Sequence, residues 1–282
     1  MKIDTLLEDL DNLLTNGYEV SNEEAEAFGN SMANLLKTRL KREAKGGTLR
    51  MSNLGKPNRQ LWYEVNVPHE SEPLQPSTYL KFLYGDVIEE LLLTLVKLTG
   101  HRVEGQQDAM ELHGIKGSRD VVIDGMTVDV KSASEYSFSK FKEGLKPEKD
   151  TFGYLQQIQN YIHAAKDDPL VTEKDLGAFL VLNKVSGDIL LDYHKKNEIP
   201  IDEIIQYKKD MVANPEPPER CFEPEPKGQS GNMVLNSNCS FCSYKRLCWP
   251  ELRTFLYAGA QGKKIPTFFT TVVEEPKVFE VK

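Results

Sequence analysis

Cysteine is scarce in this chain and unevenly placed. Only four occur in 282 residues, all between Cys221 and Cys248. That excludes a disulfide scaffold spread through the fold and points to soft-metal ligation in one region. Long apolar runs are missing too. No stretch reaches the roughly 20 residues of a membrane span, so no membrane role is expected. The start, MKIDTLLEDLDNLL, lacks the basic opening and small-residue cleavage site of a secretory signal. The expected compartment is the cytoplasm. There is no P-loop, so any nucleic-acid unwinding has to come from another protein. Internal repeats are absent, which excludes a solenoid. Excess positive charge is absent as well. The net charge of -8 argues against a protein that coats nucleic acid, but not against a local basic groove.

Such a groove has one candidate. Residues 37–59 hold Lys37, Arg39, Lys41, Arg42, Lys45, Arg50, Lys56 and Arg59 against Glu43 alone. The stretch is either a phosphate-facing surface or a solvated helix end. Apolar spacing predicts helices over 3–14 and 22–44, the second stopped by Gly46-Gly47. A short element with aromatic residues follows near Trp62, and residues 78–100 read as a long, largely buried helix. Residues 101–112 read as a strand. KGSRDVVIDG and MTVDVKSAS read as two strands turning at Asp124-Gly125. A helix over 150–166 with Asp150 or Thr151 as cap, a hairpin turning at Ser186-Gly187, and a helix over 199–214 complete the core. After Pro215 the composition turns rich in Pro, Glu and Gly, and a strand is expected at 267–274. The order implies an α/β fold: a mixed β-sheet flanked by helices. Expected divisions are a helical region over 1–48, a core over 49–214 and a cysteine-containing segment over 215–282.

The chemistry concentrates in GSRDVVIDGMTVDVKSAS. Residues two apart on a strand share a face, so Asp129 and Lys131 point the same way. Asp120 lies on the partner strand, where the turn brings it near. Paired carboxylates suit a hard divalent cation, Mg²⁺ or Mn²⁺. The ammonium orients water or offsets developing phosphate charge. The alternative is an ordinary salt-bridged hairpin. Val121, Val122, Val128 and Val130 favour a core strand over that.

Asp120 followed by Asp129-Val130-Lys131 resembles the PD-(D/E)XK nuclease signature. YGDVIEE resembles the helical segment that carries a metal ligand in RecB-like nucleases, with Glu89 at the ligand's place. QQIQNY resembles their Q-x-x-x-Y motif, giving Gln157 and Tyr161 four apart on one helix face. CSFCSYKRLCW, with Cys239, Cys242 and Cys248, resembles the cysteine triplet of the CRISPR-associated RecB-like exonucleases and of the AddB-type helicase–nucleases. In those families the triplet and an upstream cysteine hold a 4Fe–4S cluster that staples the C-terminal segment. MSNLGKPNRQLWYE resembles the segment that carries the upstream cysteine, through Ser52, Leu54, Gly55, Arg59 and Trp62-Tyr63. Lys56-Pro57 stands in the cysteine's place, which leaves Cys221 as the fourth ligand. Thiolates suit Zn²⁺ as well as iron–sulfur, so Zn²⁺ remains the alternative.

The resemblance implies a restriction-endonuclease-like core with a cysteine-stapled C-terminal segment. It implies a Mg²⁺- or Mn²⁺-dependent DNA exonuclease acting in replication, recombination or repair; a phage-encoded member is allowed, the compartment then being the host cytoplasm. Glu89, Asp120, Asp129 and the Val130 carbonyl would hold the metal, and Lys131 would position the water. Gln157, Tyr161, Arg59 and Ser132 would contact the substrate. Expected partners are DNA, single-stranded or with free ends, and a helicase or recombination protein; an oligomer is allowed. The alternatives are a structure-specific DNA endonuclease and a non-catalytic DNA-binding scaffold with a metal-stapled nuclease-like fold.

Overall fold

The structure, a computed structural model, describes residues 1–41, 47–259 and 262–281. In chain order the elements begin with α1 (Leu6–Asn16), α2 (Asn22–Arg39), α3 (Asn58–Asn66) and α4 (Pro76–Leu98). Strands β1 (Val103–Glu104), β2 (Ala109–Leu112), β3 (Ile115–Ser118), β4 (Val121–Ile123) and β5 (Met126–Ala133) follow. Then come α5 (Glu135–Lys142), α6 (Tyr154–Ala164), β6 (Leu176–Asn183), β7 (Ile189–Lys195) and α7 (Ile201–Ala213). The remainder holds β8 (Glu225–Pro226), β9 (Met233–Val234), α8 (Ser237–Ser240), α9 (Lys245–Cys248), β10 (Arg253–Ala258), β11 (Lys264–Thr271) and β12 (Glu280–Val281).

The chain divides into two compact units. The first comprises residues 1–45, 49–55 and 75–207; the second comprises 46–48, 56–74 and 208–282. The N-terminal helices thus belong to the first unit. The aromatic element α3 goes with the cysteine-bearing segment.

The first unit is a mixed sheet flanked by helices, in the order β1-β4-β5-β6-β7. β4 and β5 form the expected hairpin, pairing Val121 with Val128. Its turn needs left-handed backbone at both central residues, and Asp124 (φ 48°) and Gly125 (φ 85°) provide it. The stretch before β4 is not one continuous strand. β3 pairs with β2 in a separate two-stranded sheet, and the chain breaks at Arg119-Asp120. At the break the Arg119 guanidinium is buried and paired to Asp108 at 2.8 Å and to Asp168. Residues 101–112, expected as one strand, split into β1 and β2 around Gly105 and Gln107, both with positive φ.

β5 and β6 run parallel, pairing Asp129 with Phe179 and Lys131 with Val181. A parallel pair needs a crossover, and α5 and α6 supply it. Alternate residues of β5 therefore serve two different cores. Val128 and Val130 pack with Leu6 and Leu10 of α1 and Leu92, Leu93 and Val96 of α4. Ala133 packs with Phe138 and Phe141 of α5, Ile158 and Ile162 of α6, and Phe179. Buried His101 ties α1 to the hairpin turn, facing Asp124 at 2.5 Å and Asp9 at 3.0 Å.

Helix α4 is not buried along its length. Its second half carries Ile88, Leu92, Leu93 and Val96 into the core, while Leu80, Phe82 and Tyr84 in the first half are exposed. The second predicted helix ends at Arg39 in the described residues. Residues 42–44 of that prediction, the Gly46 stop, and Arg42 and Lys45 of the basic stretch lie outside them.

In the second unit a five-stranded sheet has the order β12-β10-β11-β9-β8, every pair antiparallel. The single strand expected at 267–274 is thus β11, one member of a sheet. Phe255 and Phe269 meet edge to face at its centre, 5.0 Å apart. In the same unit α3 buries Leu61, Trp62 and Tyr63, and the Trp62 indole donates to the Asn214 carbonyl at 2.8 Å.

Candidate functional site

β5 projects Asp129 and Lys131 on the side facing α6, as period-two geometry requires. Asp129 is 1% exposed. Its Oδ1 accepts a hydrogen bond from Gln157 Nε2 at 3.0 Å, and the Lys131 ammonium pairs with Oδ2. That Oδ2 is buried, with the Lys131 ammonium against it. Asp120, just before β4, is held against β5 because its Oδ2 accepts from the Val130 N–H at 2.9 Å. Glu89 reaches in from α4, its Oε1 accepting from Gln107 Nε2 at 2.9 Å. Ser132 is half-buried, and its Oγ lies 3.4 Å from where a Cβ on Gly85 would stand. A side chain at position 85 would press on Ser132.

The three carboxylates share one electrostatic environment. Burial pushes Glu89 up to about 7, with the Asp129 and Asp86 charges adding to it; Gln107 and Lys131 oppose. Burial likewise raises Asp120 well above the usual carboxylate range, followed by repulsion from Asp129 and Glu89. Burial pulls Lys131 down, but Asp129 and Asp120 outweigh it and hold the ammonium firmly charged. At neutral pH the lysine is therefore a fixed cation and a poor proton acceptor, while Glu89 sits near half-ionisation.

Tyr161 shares the α6 face with Gln157, but it is 2% exposed and packs with Met51, Leu54, Ile115, Ile201 and Ile205. Burial, then Asp129 and Asp120, push its phenol up to about 12, and Gln157 hydrogen bonds to it. Tyr161 acts on the site through Gln157, from the core. Three contributors escaped the sequence reading. Asp86 stands one turn before Glu89 and ion-pairs with Arg39 at 2.7 Å. Gln107 holds Glu89. The Tyr154 ring carries the Lys131 ammonium at 4.7 Å from its centroid. Tyr154 had a usable signal, since it lies three residues before Gln157 on the same helix. Gln107 had none, being placed by a left-handed loop.

Arg59 is not with the carboxylate-bearing residues in the first unit. It belongs to the second unit, where its N–H donates to Cys221 Sγ at 3.4 Å and its guanidinium donates to the Pro218 carbonyl. The basic stretch as a whole is divided between the units, and Lys56 is paired with Glu64 at 2.6 Å.

In the second unit Cys221, Cys239, Cys242 and Cys248 line one cavity together with Pro57, Arg59 and Tyr63. All four are free thiols. Tyr63 stacks on Tyr244 at 5.6 Å beside them. Burial pushes Cys239 up to about 12, with Cys248, Cys242 and Cys221 adding to it. The four sulfurs are therefore close enough to repel one another as thiolates.

Among the described residues, no three His, Cys, Asp or Glu side chains are placed as a ready-made metal-binding group. The donor chemistry nonetheless fits at both places. Asp129 Oδ2 is buried with the Lys131 ammonium against it, and burial followed by neighbouring negative charge raises Glu89 and Asp120, which a hard cation would relieve. Burial, then the neighbouring sulfurs, raise Cys239, which a soft cation would relieve.

No family model matches the chain, and no curated protein matches it. Among solved structures, one described as "Crystal structure of SSO0001" aligns with a TM-score of 0.43 at 14% identity. The alignment covers 78% of this chain and 95% of that one. So distant a likeness has no bearing on activity. No helix among the described residues is long and apolar enough to cross a membrane.

Proposed function

We propose that this protein is a metal-dependent deoxyribonuclease that hydrolyses phosphodiester bonds from DNA ends. The observation that carries the reading is the buried Asp129 carboxylate, paired to Lys131, held by Gln157, and electrostatically joined to Asp120 and Glu89. An ordinary structural ion pair has no use for two further carboxylates raised by burial beside it. Glu89, Asp120 and Asp129 would hold Mg²⁺ or Mn²⁺, with the Val130 carbonyl beside them. The cation supplies Lewis-acid polarisation and lowers the pKa of bound water.

The chain's own groups do the rest. Lys131 remains charged through neutrality, so it orients water and offsets negative charge developing on the phosphate. Glu89, pushed up to about 7 by burial in the metal-free chain, would give up its proton as it takes its place on the cation. Gln157 fixes the Asp129 rotamer by donating to Oδ1. Tyr161 anchors Gln157. The thiols would hold a 4Fe–4S cluster or Zn²⁺ in a structural role, stapling the C-terminal segment as the resemblance implies.

The test is digestion of end-labelled linear DNA beside the same sequence as a closed circle, with Mg²⁺ and with Mn²⁺. Loss of the linear form alone supports an exonuclease. Cutting of the circle replaces that reading with an endonuclease. No cleavage of either leaves a non-catalytic DNA-binding scaffold.

A further inference from the structure

Two exposed aromatic rings lie on the segments that carry Glu89 and Gln157, and neither is explained by phosphate hydrolysis. Phe152 is 60% exposed and Phe82 is 58% exposed. Single exposed apolar residues are common and need no account. These two differ in how they are held and in what they stand beside.

Phe152 lies in the bend before α6. Asp150 gathers that bend with one carboxylate: Oδ1 accepts from the N–H groups of Phe152, Gly153 and Tyr154, and Oδ2 from Leu155, over 2.8 to 3.3 Å. Gly153 adopts φ 78° and packs directly on Gly55. A Cβ at residue 153 would stand 2.4 Å from the Gly55 carbonyl carbon. The backbone beneath the exposed ring is therefore pinned. The ring stacks on Tyr154, centroids 5.4 Å apart and planes 25° apart. Tyr154 in turn carries the Lys131 ammonium. Phe152 is thus one ring removed from the catalytic lysine.

Phe82 lies on a different element, α4, which packs on the opposite face of β5 from α6. On α4, Phe82 and Glu89 are seven apart, two helical turns, so both lie on one face, about 10 Å apart along the axis. Gly85, between them on that face, meets Ser132 of β5. The same segment of the unit adds exposed Tyr136 with the Lys140 ammonium 4.7 Å from its ring centroid, and exposed Lys142. Aromatic rings interleaved with cations suit single-stranded nucleic acid, whose bases are free to stack and whose phosphates seek positive charge. Bases of a duplex are already stacked on each other and cannot lie on these rings.

Resting on the nuclease reading of the same cleft, we infer that Phe152 and Phe82 are base-stacking platforms on its two sides. The strand that enters is single-stranded, with an unpaired base on each ring and the scissile phosphate between them at the carboxylates. Specificity for an unpaired strand then resides in these rings, since the carboxylates would meet only the cation and its water.

The test uses the full chain with Mn²⁺ and 5′-labelled 12-mers, one intact and others carrying a single abasic residue at successive positions. For wild type, one abasic position on each side of the cut lowers kcat/KM roughly 10- to 100-fold. Phe152→Ala lowers kcat/KM on the intact strand by a similar factor, mainly through KM, and loses its sensitivity to one of those positions. Phe152→Trp restores both. Phe82→Ala does the same for the position on the other side. Additive losses, or Phe152→Ala cleaving the intact strand at the wild-type rate, overturn the inference. If wild type cleaves nothing, the nuclease reading fails separately. Fluorescence anisotropy with the same strands then reads the same coupling in Kd, and its absence overturns the stacking platforms too.

Discussion

The two units each gather groups whose charged forms repel, and they resolve the repulsion differently. In the first unit, Asp129, Asp120 and Glu89 come with a cation of their own, Lys131, and with amide donors from Gln107, Gln157 and Val130. Glu89 is raised only to about 7, so ionisation is available at neutral pH. In the second unit, Lys245 draws Cys242 down, but burial and the other thiols prevail, and Cys239 rises to about 12. On the proposed reading, the carboxylate group exchanges a cation, water and a substrate near neutrality. Cys239, raised as it is, would ionise with a soft cation beside it and then hold that cation. One arrangement suits turnover and the other suits a permanent staple.

The sharpest way to break this contrast is to neutralise one member of each. Asp129→Asn should lower DNA hydrolysis by at least about 10²- to 10³-fold, with circular dichroism and thermal midpoint unchanged. A variant that still cleaves at the wild-type rate removes the first half of the comparison. Cys242→Ser should do the opposite. It should abolish stoichiometric iron or zinc in elemental analysis and destabilise the second unit by several kcal/mol, as loss of a structural metal does. If metal content and melting stay as in wild type, the thiols are ordinary core cysteines.

A smaller effect follows from titration. Glu89 has a raised pKa in the folded chain, so between about pH 4.5 and pH 7 the native state binds a proton that the unfolded state has released. The metal-free protein should lose stability as pH rises through that window, on the order of 2–3 kcal/mol. Asp120 acts in the same direction. Denaturant midpoints of metal-free wild type and Glu89→Gln across pH 4 to 8 check this, the variant giving the flatter profile. A steep rise in wild-type stability over that range would contradict it. The smallest expected effect is that of Asp86→Asn. Removing that charge should lower the Glu89 titration midpoint below about 7, by less than ~1 unit, because Asp86 is only the third contributor. Carboxyl NMR of the metal-free protein reads it directly.

Much of the first unit was legible from short-range signals. Asp124-Gly125 announced its turn because few dipeptides adopt left-handed backbone twice in succession. Val128 and Val130 announced a core strand, and Asp129 and Lys131 their shared face. Longer-range facts were not legible. Arg119 looked like part of a strand leading to Asp120, but its charge is satisfied by Asp108 and Asp168, and Asp168 lies far along the chain. The first half of α4 looked buried because its composition is apolar, and composition does not say whether anything covers Leu80 or Phe82. Gln157 was read as a substrate contact, and its hydrogen bond to Asp129 was not foreseen. Arg59 was grouped with the nuclease residues by chain position, whereas its N–H points at Cys221, 162 residues away. β10 was missed because Arg253 and Pro250 sit at its start, and the pairing that stabilises it is with β11 and β12.

The central claim is that the Asp129–Lys131 group hydrolyses phosphodiester bonds with the help of a divalent cation. The most direct measurement is a time course of end-labelled single-stranded DNA with wild type and Asp129→Asn, each with Mn²⁺ and with EDTA. The account predicts progressive shortening by wild type with Mn²⁺ alone, and none by the variant or with EDTA. Shortening that persists in EDTA, or in the variant, would contradict it, as would DNA left intact by the wild type with Mn²⁺.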